Sequence, residues 1–320
     1  MNLFLPIILF ALGVVLVVKG GDLFVDAASW IAERSGIPKI IIGATIVSLA
    51  TTMPELLVSL MAAVEGKVDM SIGNAVGSVT ANIGLIMGIS LVCMPGAIQR
   101  SKYLAKAVLM VVAAALITLC GITGAVSLPI SVVLMLVFAA FMYENIHAAR
   151  KNLAAKKAED EEEAPASQSV LITNVAKFII GALCIVLGSQ LLVDNGSTLA
   201  RLAGIPERVI GVTLIAVGTS LPELITTITA IVKKQSSLSI GNILGANIMD
   251  LTLIMPLSAL ISGKALPVST VLAQIDLPFC LLVSLIAIVP AMIRSRFSRW
   301  QGVALLAAYA GYLVVTCTAI

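Results

Sequence analysis

Of the 320 residues, 59% are hydrophobic and 12% are charged, against about 45–50% and about 25% in a soluble domain. That composition excludes a water-soluble globular fold and places the chain in the membrane class. The net charge of +3 says little until its distribution along the chain is read.

In chain order, ten apolar runs are long enough to cross a hydrocarbon core of about 30 Å: residues 3–18, 37–64, 70–95, 103–120, 125–143, 174–193, 205–232, 238–262, 269–293 and 299–319. Strands of a membrane barrel would be short and alternating, which these are not. The expected fold class is therefore an all-α polytopic membrane protein with ten transmembrane helices. The first run has no basic residue before it and no small-residue cleavage pattern after it, so it reads as a spanning helix rather than a secretory signal. Five cysteines stand singly inside apolar segments and form neither a metal spacing nor a disulfide framework. Ten spans put both termini on one side. Loops on that side carry four basic residues (Lys67, Arg201, Arg208 and Lys264), and the opposite loops carry the remaining sixteen of the 20 Lys and Arg. By the positive-inside rule the N- and C-termini lie outside.

Shifted by 168 residues, the sequence matches itself without a gap: 27 of the 71 positions from 20 to 90 are identical to their counterparts. The matches include Gly36-Ile37-Pro38 with Gly204-Ile205-Pro206, Pro54-Glu55-Leu56 with Pro222-Glu223-Leu224, and Gly73-Asn74 with Gly241-Asn242. Apolar composition alone would not align Gly, Pro, Asn and Glu, so this is an internal duplication. Each copy holds five spans, an odd number, so the second must enter the membrane from the opposite face. Two inverted five-helix repeats are a transporter architecture, with the cargo held near the midplane. The first repeat takes residues 1–143 and the second 173–320, joined by a cytoplasmic linker at 144–172. The linker carries a basic stretch and then the acidic run Glu159 to Glu163.

Two stretches interrupt the apolar runs at matched places. In one, Ser48, Thr51 and Thr52 precede Pro54-Glu55; in the other, Thr219 and Ser220 precede Pro222-Glu223. A proline inside each span is expected to kink it and free a carbonyl, that of Ala50 or Gly218. Carbonyls, hydroxyls and a carboxylate then gather at membrane depth, where irregular backbone is tolerated only against protein or a wet cavity. Glu55 lies 13 residues before a turn near 68 and Asn82 lies 14 after it, and Glu223 and Asp250 stand alike about a second turn near 236. At 1.5 Å rise per residue both members of each pair sit about 20 Å from the hairpin end, so four polar side chains are expected to converge. Three charged carboxylates would cost about 8–10 kcal/mol together on insertion scales, so protons or bound cations must neutralise them. Oxygen-only donors favour hard ions, and loose geometry suits calcium better than magnesium. Asp22, Asp26 and Asp194 are expected to reach the interface, as is Asp276 at the start of the ninth span. Trp30 and Trp300 read as interfacial anchors.

The doubled motifs G-x-T-x5-T-[TS]-x-P-E-L and G-N-x2-G-[SA], in residues 37–90 and 205–258, resemble the alpha-repeats of the calcium/cation antiporter superfamily, in particular its prokaryotic sodium/calcium exchangers. That resemblance implies an antiporter, not an enzyme, in which the second, third, seventh and eighth helices bind the ions. The first and sixth helices would slide to alternate access. It implies that Glu55 and Glu223 bind calcium, with Thr51, Thr219, Asn82 and Asp250. Ser48, Thr52, Ser78, Ala216 (through its carbonyl) and Ser220 would serve sodium together with the two glutamates. Exchange would be electrogenic. The transported ions would be calcium and sodium, with no cofactor, no nucleic acid and no obligate protein partner beside the lipid bilayer. The location would be a prokaryotic cytoplasmic membrane. Two departures stand out: Ala246 where many members carry a serine, and Val79 opposite Asn247. The same carboxylates would also serve a cation/proton antiporter, and a cation channel is the remaining alternative.

Overall fold

The computed structural model describes residues 4–158, 168–204 and 218–319. Its helices are α1 (Phe4–Ser35), α2 (Lys39–Thr51), α3 (Met53–Val64), α4 (Val68–Cys93), α5 (Arg100–Thr123), α6 (Leu128–Ala158), α7 (Gln168–Leu202), α8 (Leu221–Val232), α9 (Ser236–Ser262), α10 (Leu272–Arg294) and α11 (Arg299–Ala319). Among the described residues eight are each long and apolar enough to cross a membrane, and α2 with α3, bent by 48° at their break, passes the same test as a pair. The expected run at 205–232 is described from residue 218 onward. Two departures from an all-helical reading are the short strands β1 (Ala125–Val126) and β2 (Leu266–Pro267), which pair antiparallel. Helix α6 also continues through much of the expected linker, to Ala158. Helices α1 and α7 outrun the apolar stretches that announce them, because Lys19, Asp22 and Asp26 are carried inside α1 rather than beyond its end.

The chain divides into two compact units that do not follow its halves: Met1–Thr51 with Asn145–Asn242, and Thr52–Glu144 with Ile243–Ile320.

In the first unit α1 and α7 run antiparallel in close contact. A Cβ on Gly13 would meet the Gly188 carbonyl at 3.0 Å, and one on Gly20 would meet the Gly181 carbonyl at 2.9 Å. Small residues let two helix backbones approach this closely within a bilayer. Phe24, Val25, Ala28 and Ile185 fill the interior beside them, and Phe24 stacks on Phe178. Lys233, just past α8, bonds Asp26 on α1 at 2.8 Å and lies 3.3 Å from Asp22. Asp22 and Asp26 pair with Lys233 while their side chains stay 50% and 65% exposed.

In the second unit α3 and α4 form a hairpin closed at Gly66, whose φ of +74° is the left-handed region that favours glycine. The Lys67 N–H donates to the Ala62 carbonyl at 2.8 Å. The α8–α9 hairpin of the first unit closes the same way: Gln235 donates to Ala230 at 2.7 Å, with Lys234 at φ +57°. Elsewhere in the second unit Pro290, inside α10, cannot donate to the Ile286 carbonyl. Gln301 Nε2 of α11 supplies the missing donor at 3.0 Å and bonds the Ala287 carbonyl as well. Lys106, counted from sequence among loop charges, is wholly buried in α5 and bonds Glu144 of α6 at 2.5 Å. Tyr103, one turn before it, packs edge-on against Phe297.

Candidate ion-binding site

The first proline motif breaks its helix rather than kinking it, and the residues before Gly218 in the second lie outside the described residues. Helix α2 ends at Thr51, and α3 starts anew after Thr52 with Pro54 in its first turn. Helix α8 likewise starts after Ser220 with Pro222 in its first turn. A proline there loses no hydrogen bond, because first-turn N–H groups have no intrahelical partner. The Gly218 carbonyl, expected to be freed, accepts instead from the Leu221 N–H at 3.3 Å. These helix starts have an electrostatic consequence. Glu55 and Glu223 each sit in the first turn of their helix, where the positive end of the helix dipole favours a carboxylate.

The first unit holds Ser48, Thr51, Thr219, Ser220 and Glu223. The turn Ser48–Thr51 packs against α8, and Thr51 Oγ1 donates to Asn242 Oδ1 at 3.2 Å. Ser48 donates its own proton to the Thr45 carbonyl at 3.1 Å. A π-helical turn at Gly43–Val47 immediately precedes Ser48; such turns gather at functional sites. Gly43 is needed there, because a Cβ would collide with the Leu238 carbonyl and lie 2.9 Å from the Asn242 nitrogen. Ser220 and Glu223 are buried and Thr219 is half-buried. Ala216 lies outside the described residues.

The second unit holds Thr52, Glu55, Ser78, Asn82 and Asp250, all buried. Asn82 and Asp250 each open a π-helical turn, at Asn82–Met87 and Asp250–Ile254. The turn at Asp250 packs against both α3 and α4, which brings Glu55, Asn82 and Asp250 into one region. Asn82 Nδ2 donates to Asn247 Oδ1 at 3.1 Å. Asn247 is thus the buried partner of Asn82 and stands where the first copy has Val79. Its own amide points to Met110 Sδ at 3.9 Å.

Glu55 is 1% exposed, and Glu223 and Asp250 are 0% exposed. Lys106 is the one basic side chain buried among the described residues, and Glu144 holds it. Each unit buries its acids together with oxygen-bearing side chains, Glu223 with Ser220 in the first and Glu55 and Asp250 with Asn82 in the second. Among the described residues Asn82 Oδ1 and Ser220 Oγ have no hydrogen-bond partner, which leaves buried lone pairs suited to a hard cation. No group of three or more His, Cys, Asp or Glu side chains that could hold a metal ion forms among the described residues. Two residues absent from the sequence-derived ligand set also belong here. Asn74 Nδ2 donates to the Glu55 carbonyl at 3.2 Å and to Ser59 Oγ at 2.9 Å. Ser59 could have been found from sequence, since it lies one helical turn beyond Glu55 and Thr227 repeats it beyond Glu223.

Comparison with known proteins gives the family. The family model described as sodium/calcium exchanger protein matches residues 5–146 and 173–318. Sodium/calcium exchanger MaX1 of Methanosarcina acetivorans is 30% identical over 95% of this chain and 96% of its own length. Inner membrane protein YrbG of Escherichia coli is 32% identical over 79% of each chain. Among solved structures, the sodium-calcium exchanger NCX_Mj soaked with sodium and strontium superposes with a TM-score of 0.81 and 28% identity, covering 98% of this chain and 99% of that one. With the family model spanning nearly all of both halves and those buried carboxylates in place, the chain belongs to the sodium/calcium exchanger protein family.

Proposed function

We propose that this chain exchanges sodium for calcium across the cytoplasmic membrane as an electrogenic, alternating-access antiporter. Glu55 and Glu223 are the calcium carboxylates, assisted by Thr51, Thr219, Asn82 and Asp250. Ser48, Thr52, Ser78, Ser220 and the Ala216 carbonyl serve sodium with the same two glutamates. The observation that carries this reading is the paired placement of Glu55 and Glu223. Each is buried in the first turn of a helix, just behind two hydroxyl residues. A buried carboxylate at such a helix start is stabilised as an anion yet ready to accept a cation.

The ten-helix inverted arrangement has support from α1 and α7. The contacts Gly13–Gly188 and Gly20–Gly181 exchange with each other under the 168-residue offset, as a two-fold relation between repeats 1–143 and 173–320 requires. The sixteen-to-four distribution of basic residues favours termini outside and the linker at 144–172 inside. Each net charge moved would couple to the membrane potential by about 2.3 kcal/mol per 100 mV.

The test is calcium uptake into proteoliposomes under an imposed sodium gradient or an imposed pH gradient. Uptake driven by sodium supports the proposal. Uptake that answers to the pH gradient alone would instead make the protein a cation/proton antiporter.

A further inference from the structure

A chain of buried hydrogen bonds in the second unit ends at the backbone of Glu55. Ser71 Oγ on α4 bonds Ser258 Oγ on α9 at 3.0 Å. The Ser71 carbonyl accepts from Ser59 Oγ on α3 at 3.2 Å. Ser59 Oγ in turn accepts from Asn74 Nδ2 at 2.9 Å, and the same amide bonds the Glu55 carbonyl at 3.2 Å. Ser59, Ser71 and Ser258 are each 0% exposed. We propose that Ser59, Ser71 and Ser258 are positioning residues for calcium binding, which set Glu55 against the helix that carries Asp250. This rests on the exchanger reading above.

Three arguments support the assignment. Apolar side chains of similar size would pack at these positions without the desolvation that a buried hydroxyl costs, so packing alone does not call for serine there. The chain has direction: the Asn74 amide nitrogen donates to both the Glu55 carbonyl and Ser59 Oγ, so the amide cannot turn over without breaking these bonds. It also joins the helix of Glu55 to the helix of Asp250, Ser258 lying eight residues beyond Asp250 on α9, about two turns along the helix. Substitution of such outer partners commonly weakens metal affinity about 10–100-fold while the direct ligands remain.

The duplication supplies an independent observation. At the 168-residue offset Ser59, Ser71, Asn74 and Ser258 become Thr227, Ser239, Asn242 and Ser90, hydroxyl for hydroxyl and amide for amide, and all four are buried. The second set is not joined in the same way. Among the described residues Thr227 Oγ1, Ser239 Oγ and Asn242 Nδ2 have no hydrogen-bond partner, while Asn242 Oδ1 accepts from Thr51. The joined set is therefore the one to test.

The experiment measures sodium-driven calcium uptake by the full chain in proteoliposomes, resolved into KM and kcat. Ser59→Ala and Ser258→Ala should each raise the calcium KM by about ten-fold with kcat within about two-fold. Ser59→Thr should restore it, threonine being the side chain used at position 227. The double variant Ser59→Ala/Ser258→Ala should be no worse than the poorer single, since both break one connected chain. Ser131→Ala, a buried hydroxyl bonded to the Ser127 carbonyl one turn back, should leave KM unchanged. If Ser59→Ala does not fold, Ser258→Ala at the far end of the chain gives the same reading. An unchanged KM in either alanine variant, or additive losses in the double, would overturn the proposal while leaving the exchanger reading intact. No calcium uptake by the wild type would overturn both.

Discussion

The segment from Thr52 to Asn82 and the segment from Ser220 to Asp250 begin alike and end differently. Both start a helix, place a glutamate in its first turn, and return through Gly-Asn on the partner helix. They part at the far end: Ser78, Val79 and Asn82 in the first copy answer to Ala246, Asn247 and Asp250 in the second. On the proposed reading, what both copies keep is what calcium binding requires from each repeat. What they do not share sets how many charges and hydroxyls the two sides contribute. The first copy offers one carboxylate, one amide and one extra hydroxyl. The second offers two carboxylates and, in Asn247, a buried amide that holds Asn82.

If that division is right, the shared residues should be indispensable and the unshared ones adjustable. Glu55→Gln and Glu223→Gln should each abolish sodium-driven calcium uptake, to below about one-hundredth of wild type, the upper range for loss of a metal-site group. Unequal losses would break the claim that the copies play matched roles. Next, Asp250→Asn makes the second copy match the first at its far end. Calcium affinity should fall about ten-fold with transport retained, whereas Asn82→Ala should cost less because it removes no charge. A smaller effect is expected from Ala246→Ser, which supplies the hydroxyl that Ser78 gives the first copy. The sodium concentration for half-maximal exchange should drop a few-fold, by roughly one hydrogen-bond increment, and Ser78→Ala should raise it.

Much of this was legible in sequence because the signals are chemical oddities at membrane depth. Glu55, Glu223 and Asp250 are conspicuous in apolar runs, and the hairpins that carry them turn where the spacing predicts, between Val64 and Val68 and between Val232 and Ser236. Other features were not legible. Proline in an apolar run signals disturbed helix but does not distinguish a kink from a fresh helix start, which depends on how Thr52 and Ser220 turn. Charge counting assigned Lys106 to a loop, since a lysine near a span end looks solvated until its partner is known; Glu144, 38 residues away, is that partner. Serines such as Ser71 and Ser258 pass for ordinary small helix residues until the bond between them is traced.

The packing of the first unit gives a check that does not involve ions. Gly20→Ala would press a methyl group against Cys184 Cβ at 2.7 Å, and overpacking of this kind costs about 1–3 kcal/mol. A lower unfolding temperature in detergent, with calcium affinity unchanged, is the expected result. The smallest effect concerns Lys233. Burial alone would lower its pKa, but hydrogen bonds and charges from Asp26 and Asp22 outweigh that and raise it above 10.5. A base raised on folding adds stability that is fully present below its unfolded value and lost as pH climbs through the folded one. The thermal advantage of wild type over Lys233→Gln should therefore hold constant through neutral pH and shrink above about 10.5.

The most direct measurement is calcium binding to the purified protein, followed by calorimetry with and without sodium. Wild type should bind calcium and lose it as sodium is added, and Glu55→Gln and Glu223→Gln should each bind neither ion competitively. Undiminished, sodium-sensitive calcium binding in both variants would contradict the assignment of those buried carboxylates to the exchanged cations.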